Sequence, residues 1–326
     1  MRARCTLASL CMGAALSVRS VCAAPLCVAS VGSPVGVDFT NVTFLASGRS
    51  FLLATPPLPA PPLRLLYALH GYGDGAEFIL GRTRFDASAT AAGYVVVAPQ
   101  GDAGVPGGSW SLGNGRTDGR QTDRVTLENE LAFLWSITSC VRALGIPLSG
   151  DVYLAGLSQG GKMATRMACS THEGFTVRAI AVAAGVQAEP GMQCPTPIPL
   201  LLFQGGLDPV VPFCTSGSFL YRPAAASLGL LARSAMNGCS AAPAVPRSGS
   251  RADVAATRVF EFQGCGAPTL LVWTPLDFHV WPGELPDTRQ NGSAVALSFF
   301  ASLGRDVVLP ELKGGHAPWP CGQHWT

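Results

Sequence analysis

The sequence predicts an α/β fold in which a mainly parallel sheet is covered by helices on both faces. Three observations lead to this prediction. Short apolar runs suited to buried strands alternate with longer helical stretches over most of the 326 residues. Hydrophobic residues make up 48% of the chain and charged residues only 13%, which suits a large core. No repeat and no linker separates two cores, so we expect one domain over residues 24–303.

The first 23 residues have the features of a secretory signal peptide. Arg2 and Arg4 precede an apolar stretch that is too short to span a bilayer, and small residues suit cleavage before Ala24. We therefore expect an extracellular, secreted chain with no membrane contact after cleavage. Two N-glycosylation sequons, at Asn41 and Asn291, fit a secreted glycoprotein.

The cysteines and the net charge limit the classes of function. Of the 11 cysteines, three lie in the signal segment and eight beyond it, and an even number in a secreted chain indicates disulfides. No C-x-x-C pair is present, which argues against a zinc site. A net charge of +2 without a basic run gives no electrostatic case for nucleic acid or an anionic membrane as a partner.

The first elements lead to a glycine-rich loop. Residues 35–53 alternate in hydrophobicity like a β-hairpin, and the apolar run at 63–69 predicts a buried strand. The loop at 70–75 follows that strand and exposes backbone N–H groups at its carboxyl end. Residues 78–92 then predict a helix, and 94–98 the next buried strand.

A long polar segment follows at residues 100–122. It is too long for a simple connection, so we interpret it as a functional loop. Trp110 lies within it and is a candidate substrate-binding residue, either as an anchor for a lid or as a wall facing the substrate. Apolar positions on one side of residues 124–144 predict a helix after the loop.

The next strand, turn and helix carry a nucleophile motif. Residues 152–155 are a short apolar run, and 156–160 fit the pattern G-x-S-x-G before a run of good helix formers. Gly156 and Gly160 remove the Cβ atoms that would clash in such a turn, which leaves Ser158 strained and exposed. The N–H of Gln159 would lie at the helix N-terminus, where a developing oxyanion is stabilised.

The rest of the chain continues the alternation. A tail at 304–326 has no role that the sequence indicates. The remaining predicted elements are strands at 178–185 and 199–204, a helix at 224–233, a strand pair at 259–262 and 269–273, and a closing helix at 294–303.

A catalytic serine needs a base and an orienting carboxylate. In α/β-hydrolases the chain order is serine, acid, histidine, and His279 follows a predicted strand after Ser158. Asp208 follows another strand and would hold the imidazole in the right tautomer. Asp253 and Asp277 are competitors, but Asp253 lies in a low-complexity stretch and Asp277 is only two residues from the histidine.

Four motifs occur in order along the chain: LHGYGD at 69–74, GLSQGG at 156–161, GLDPVVP at 206–212 and HVWPG at 279–283. Together they resemble the secreted feruloyl esterase and polyhydroxybutyrate depolymerase family, from about residue 63 to residue 303. The resemblance implies an α/β-hydrolase fold and a serine esterase that forms an acyl-enzyme without a metal or a cofactor.

The resemblance also implies roles for single residues. Ser158, Asp208 and His279 match the family's triad, and the backbone N–H groups of Gln159 and of Tyr72 in the glycine-rich loop match its oxyanion hole. Feruloyl esters of plant polysaccharides are the favoured substrates, and poly(3-hydroxybutyrate) or its oligomers are the alternative. No polymer-binding module is visible, which favours a soluble ester or oligomer over a crystalline polymer. A non-catalytic binding protein on a hydrolase scaffold is the alternative of another class.

The surroundings of the histidine give three further expectations. The resemblance implies a Cys239–Cys265 disulfide that would pin the loop of His279. Trp281 is a candidate substrate-binding residue, although packing beneath the loop is an equally open interpretation. The chain departs from the family at 277–278, where glycines are usual and an aspartate and a phenylalanine stand here.

Overall fold

A computed structural model gives the fold and describes residues 27–30, 39–57, 62–101, 107–112, 126–188, 191–214, 223–242, 244–246, 257–284, 291–304 and 320–321. The predicted signal peptide, Asp253 and most of the tail at 304–326 lie outside the described residues.

Strands and helices alternate along the chain, as the apolar runs predicted. The strands are β1 Cys27–Ser30, β2 Thr40–Phe44, β3 Ser50–Ala54, β4 Leu63–Leu69, β5 Tyr94–Pro99, β6 Leu148–Leu157, β7 Thr176–Ala183, β8 Leu200–Gly205, β9 Val245–Pro246, β10 Arg258–Glu261 and β11 Thr269–Thr274. The helices are α1 Ala76–Thr83, α2 Phe85–Ala91, α3 Leu127–Ala143, α4 Gln159–Ala168, α5 Ala224–Leu230 and α6 Gly292–Ser302, and α5 continues into a π-helical turn, Leu231–Ala235.

All described strands belong to one sheet with the order β1-β2-β3-β5-β4-β6-β7-β8-β11-β10-β9. The six strands from β5 to β11 in that order are parallel to one another, and the outer strands are antiparallel. The predicted mainly parallel sheet is therefore confirmed. Because parallel strands end at one edge, the loops that follow β4, β6, β8 and β11 meet at the same edge of the sheet.

Two apolar clusters cover the two faces of the sheet. Leu65, Tyr67 and Leu69 of β4 point into a cluster that includes residues of α3, α4 and α5, while Leu66 and Ala68 point into a cluster with residues of α1, α2 and α6. A strand buried on both faces has no polar side to show, which explains the continuous apolar runs in the sequence. None of the described helices combines the length and the hydropathy needed to cross a bilayer.

The single helix predicted at 78–92 is wrong, because the structure has two helices there, α1 and α2. Arg84 adopts a left-handed conformation with φ 52° and ends α1. The hydroxyl of Thr83 donates to the carbonyl of Ile79 at 2.7 Å and accepts from the amide of Phe85 at 3.4 Å, which links the two helices across the break. The turn directs Phe85 inward, where its ring meets Trp281 at 5.6 Å.

The eight cysteines beyond the predicted signal segment form four disulfides. One is the Cys239–Cys265 bond that the family resemblance implied, with its sulfurs 2.00 Å apart. Another bond joins Cys214, six residues after Asp208, to Cys321 in the tail, so the tail returns to the edge of the sheet that holds the acid. The remaining pairs are Cys27–Cys140 and Cys169–Cys194.

Candidate active site

Ser158 lies in a sharp turn between β6 and α4. Its backbone has φ 55° and ψ −118°, a conformation that is strained for a residue with a Cβ atom. Its amide donates to the carbonyl of Ala183 at 2.8 Å, which holds the turn on the end of β7. A Cβ atom on Gly156 would lie 2.5 Å from the carbonyl carbon of Gly160, so the turn requires the glycine that the motif supplies.

The glycine-rich loop after β4 runs beside this serine. A Cβ atom on Gly71 would lie 3.5 Å from the Cβ of Ser158, so the glycine-rich loop and the Ser158 turn are in close contact. Gln159 is the first residue of α4, so its N–H is outside the helix's own hydrogen-bond ladder. Tyr72 follows Gly71 and is 42% exposed. The two residues named from the sequence as oxyanion donors, Gln159 and Tyr72, are therefore each next in the chain to a residue that lies at or beside the Ser158 turn.

The side chain of Gln159 has a structural task that the motif did not indicate. Its Oε1 accepts from the amide of Trp110 at 3.0 Å, and its Nε2 donates to the carbonyl of Trp110 at 3.0 Å. The pair of hydrogen bonds resembles the pairing of two strand residues. It ties the segment at 107–112 to the start of α4 and so to the turn of Ser158.

The His70 ring supports the glycine-rich loop from beneath. Its Nε2 lies 2.9 Å from the amide nitrogen of Gly101, and its Nδ1 lies 2.8 Å from the carbonyl oxygen of Gly71. The first contact makes Nε2 an acceptor and the second makes Nδ1–H a donor, so the geometry selects the neutral Nδ1–H tautomer. Burial lowers the pKa of His70, partly opposed by the Gly71 hydrogen bond and by Asp74. Sequence reasoning assigned this ring no role.

Asp208 and His279 form a hydrogen-bonded pair after β8 and β11. Oδ2 of Asp208 lies 2.8 Å from Nδ1 of His279, and the side chains are 0% and 20% exposed. Oδ1 of the same carboxylate accepts from the amides of Val210 and Val211, each at 2.8 Å. The carboxylate is held in place by its own loop and in turn orients the imidazole.

Glycines of the acid loop fit against the loop of the base. A Cβ atom on Gly205 would overlap the carbonyl oxygens of Asp277 and Phe278, and one on Gly206 would overlap that of Pro275. In this chain the glycines that allow the close approach stand in the loop after β8, not directly before the histidine. This explains how positions 277 and 278 can carry side chains.

The nucleophile turn, the acid and the base thus follow β6, β8 and β11 in chain order, at one edge of a sheet in which β4 and β5 have exchanged places. That strand order, with the nucleophile on a strand-to-helix turn, decides the fold. The chain has the α/β-hydrolase fold.

No family model matches this chain. A curated relative from Nocardia uniformis subsp. tsuyamanensis, named "Putative esterase NocK", is 32% identical over 165 residues, which is 50% of this chain and 45% of the relative. The chain therefore aligns with less than half of the length of that relative.

The solved structures to which the chain is similar are distant in sequence. Acetyl xylan esterase from Aspergillus awamori is 15% identical, with a TM-score of 0.49 over 75% of this chain and 95% of its own. LpqC, a poly(3-hydroxybutyrate) depolymerase from Bordetella parapertussis, is 17% identical, with a TM-score of 0.41 over 57% of this chain and 70% of its own. The fold assignment therefore stands on the strand order and on the turn of Ser158.

The two tryptophans named as candidate substrate-binding residues are interior residues. Trp110 is 0% exposed, and its indole N–H donates to the carbonyl of His70 at 2.8 Å. Trp281 is also 0% exposed, and its indole N–H donates to the hydroxyl of Ser293 at 3.0 Å. The expectation that they contact substrate is therefore wrong for this structure. For Trp281 the packing interpretation holds, since its ring also meets Phe203 at 5.6 Å.

An open groove of about 1050 Å³ lies at the opposite end of α4 from Ser158. It is lined by α3, by residues after α4 and by the segment around Cys194, and His172 stacks on Trp135 there with ring centroids 5.1 Å apart. A helix of α4's length spans about 15 Å, so this groove is separate from the nucleophile.

Proposed function

We propose that this hydrolase is a serine carboxylic ester hydrolase that works through an acyl-enzyme on Ser158. The observation that carries the proposal is the Asp208–His279 hydrogen bond of 2.8 Å at the sheet edge where the strained Ser158 turn also lies. A serine hydroxyl needs such a base to become a nucleophile at neutral pH.

Each step can be assigned to a group of this chain. His279 takes the proton from Oγ of Ser158 as the new bond to the ester carbonyl carbon forms. The backbone N–H groups of Gln159 and Tyr72 stabilise the oxyanion. The protonated imidazole then gives its proton to the leaving alcohol, and a water molecule repeats the sequence to release the acid. Asp208 stabilises the imidazolium throughout.

The substrate class is supported by exposed apolar side chains that lie close along the chain to these groups and that we call the rim. Of the eight large hydrophobic side chains that are exposed among the described residues, five lie within three residues of the candidate catalytic or oxyanion groups: Tyr72, Leu207, Val210, Leu276 and Phe278. They are between 42% and 55% exposed. Such a rim suits an ester with an aromatic or apolar acyl group, so we favour a feruloyl ester of plant polysaccharide over an acetyl ester. The same rim suits hydroxybutyrate oligomers, which are the second candidate.

The experiment compares the purified wild type with Ser158→Ala in two assays. We expect the wild type to react with a fluorophosphonate probe and to hydrolyse p-nitrophenyl butyrate, and the variant to do neither. A panel of methyl ferulate, acetylated xylan and hydroxybutyrate trimers then ranks the substrates by kcat/KM. A folded wild type that neither labels nor turns over any ester would favour the non-catalytic binding protein. Faster turnover of acetylated xylan than of methyl ferulate would contradict the role of the rim.

A further inference from the structure

Two loops of the candidate site must keep a fixed distance for the proposed chemistry. The glycine-rich loop at 70–75 carries the N–H of Tyr72, and the loop after β11 carries His279. Both groups must act on the same substrate carbonyl, and a misplacement of about 1 Å can cost about 100-fold in rate. Asp208, the hydrogen-bond partner of His279, lies in a third loop, so their hydrogen bond does not set the distance between the other two.

Arg82, in the last turn of α1, forms ion pairs with both loops. Its Nη2 lies 3.8 Å from Oδ1 of Asp74 in the glycine-rich loop. Its Nε lies 3.3 Å from Oε1 of Glu284, in the chain that follows His279. The three side chains are between 19% and 27% exposed, so the solvent screens their charges less than it would on an open surface.

Glu284 is joined to the turn that follows the base. Its Oε2 accepts from the amide of Trp281 at 3.3 Å, and its own amide donates to the carbonyl of Trp281 at 3.1 Å. Trp281 is fully buried and stands two residues after His279. A displacement of the Glu284 carboxylate therefore acts on the chain that carries the imidazole.

Asp74 is joined to the turn that carries Tyr72. Its amide donates to the carbonyl of Gly71 at 3.3 Å, and a Cβ atom on Gly71 would lie 3.2 Å from its Oδ2. The same Cβ atom would lie 3.5 Å from the Cβ of Ser158. The carboxylate of Asp74 therefore packs against the part of the loop that runs beside the nucleophile.

We propose that Arg82 is a positioning residue that holds the glycine-rich loop and the His279 loop together, so that the oxyanion donor and the base act on one substrate carbonyl. The inference rests on the proposed function. Without the guanidinium group, the carboxylates of Asp74 and Glu284 would both face the place that it leaves and would repel each other. The loops would then separate, and the transition state would lose more stabilisation than the bound ester.

The test compares Arg82→Gln, which removes the charge, with Arg82→Lys, which keeps it. Arg84→Gln is the matched control, since Arg84 follows α1 and its side chain is 62% exposed and pairs with Asp86 at 3.8 Å. In Arg82→Gln we expect kcat for p-nitrophenyl butyrate to fall by about tenfold while KM stays within about twofold of wild type. Arg82→Lys and Arg84→Gln are expected to keep kcat within about threefold of wild type. Because partly exposed ion pairs contribute little to stability, Tm should fall by no more than about 3 °C in any of the three.

Hydrogen exchange of the backbone amides gives a readout that needs no turnover and that a general loss of stability would not confine to two loops. In Arg82→Gln we expect the amides of residues 71–75 and 276–283 to exchange about threefold faster than in wild type, and in Arg82→Lys at wild-type rates. Glu284→Gln breaks the same bridge at its other end and can still accept from the amide of Trp281, so it replaces Arg82→Gln if that variant does not fold. In the double variant kcat should be no lower than in Arg82→Gln alone, because both changes break one bridge.

A kcat within about twofold of wild type in Arg82→Gln and in Glu284→Gln would overturn the inference. An equal loss of kcat in Arg84→Gln would also overturn it, because the effect would then follow from any loss of charge near α1. So would a loss of kcat without faster exchange in the two loops, since the loops would then have kept their places. A wild type that is inactive on every ester would refute the proposed function, whereas the exchange comparison would still show whether Arg82 joins the loops.

Discussion

The imidazole of His70 accepts a hydrogen bond from the amide of Gly101 at 2.9 Å, and through it the glycine-rich loop is joined to the strand beside it. The contact is buried, and it requires a neutral ring. The stability of the glycine-rich loop is therefore linked to pH.

The protein is expected to lose stability in acid partly through His70. Burial lowers the pKa of this group in the folded state, so its contribution is full above the unfolded value of about 6.5 and is lost as the pH falls towards the folded value. His70→Gln removes the titration. Chemical denaturation at pH 5 and pH 7 should show a smaller pH dependence of the unfolding free energy in the variant. An equal dependence in both proteins would contradict a buried neutral ring.

Replacing the nucleophile with glycine is expected to stabilise the protein relative to replacement with alanine. Both substitutions remove the hydroxyl, but only glycine adopts φ 55° and ψ −118° without strain. We expect Ser158→Gly to exceed Ser158→Ala by about 1 kcal/mol in unfolding free energy. Urea denaturation measures the difference, and an alanine variant as stable as the glycine variant would argue against a strained turn.

Removing the charge of Asp208 is expected to lower kcat far more than removing the charge of Asp277. Asp208→Asn disturbs the tautomer of His279 and should lower kcat by about 10⁴. Asp277→Asn is the matched control, since it lies in the loop of His279 and was the rival acid in the sequence; we expect its kcat to stay within about threefold of wild type. A larger loss at 277 than at 208 would reverse the assignment.

Substitution of Trp281 is expected to affect stability and not substrate affinity. Trp281→Phe removes the hydrogen bond to Ser293 and part of a fully buried ring, and should cost about 2 kcal/mol of unfolding free energy. Phe278→Ala is the counterpart, because this ring is 55% exposed on the rim. It should leave stability nearly unchanged and raise KM for methyl ferulate. A raised KM in Trp281→Phe with unchanged stability would restore the substrate-binding interpretation.

The disulfide to the tail is expected to contribute more stability than a local one. Cys214 and Cys321 are 107 residues apart, whereas Cys169 and Cys194 are 25 apart. Loop-closure entropy gives about 5 kcal/mol for the first and about 3.5 kcal/mol for the second. Double serine variants compared by thermal unfolding test the ranking. Equal losses of stability would indicate that the tail adds no constraint of its own.

The sheet and the nucleophile turn could be predicted because their signals are local. A strand buried on both faces leaves a continuous apolar run, and a turn such as that of Ser158 requires its glycines. The pairing of Asp208 with His279 also followed from chain order, because parallel strands deliver their ends to one edge. The roles of both residues in catalysis remain proposals for the experiments above.

The features that escaped prediction depend on contacts between distant segments. Whether Trp110 faces substrate or the core is decided by the side chain of Gln159, which holds its backbone. The His70 ring accepts its hydrogen bond from Gly101, which is 31 residues away in the sequence.

Position 205 shows how a site can be constrained by a residue that takes no part in its chemistry. Any side chain there would push on the carbonyl groups of residues 277 and 278, and so on the histidine that follows them. A saturation library at this codon should return glycine alone among active clones. Directed evolution of new substrate preferences would then succeed at the rim, where side chains project into solvent, and fail at position 205, which packs against the loop of His279.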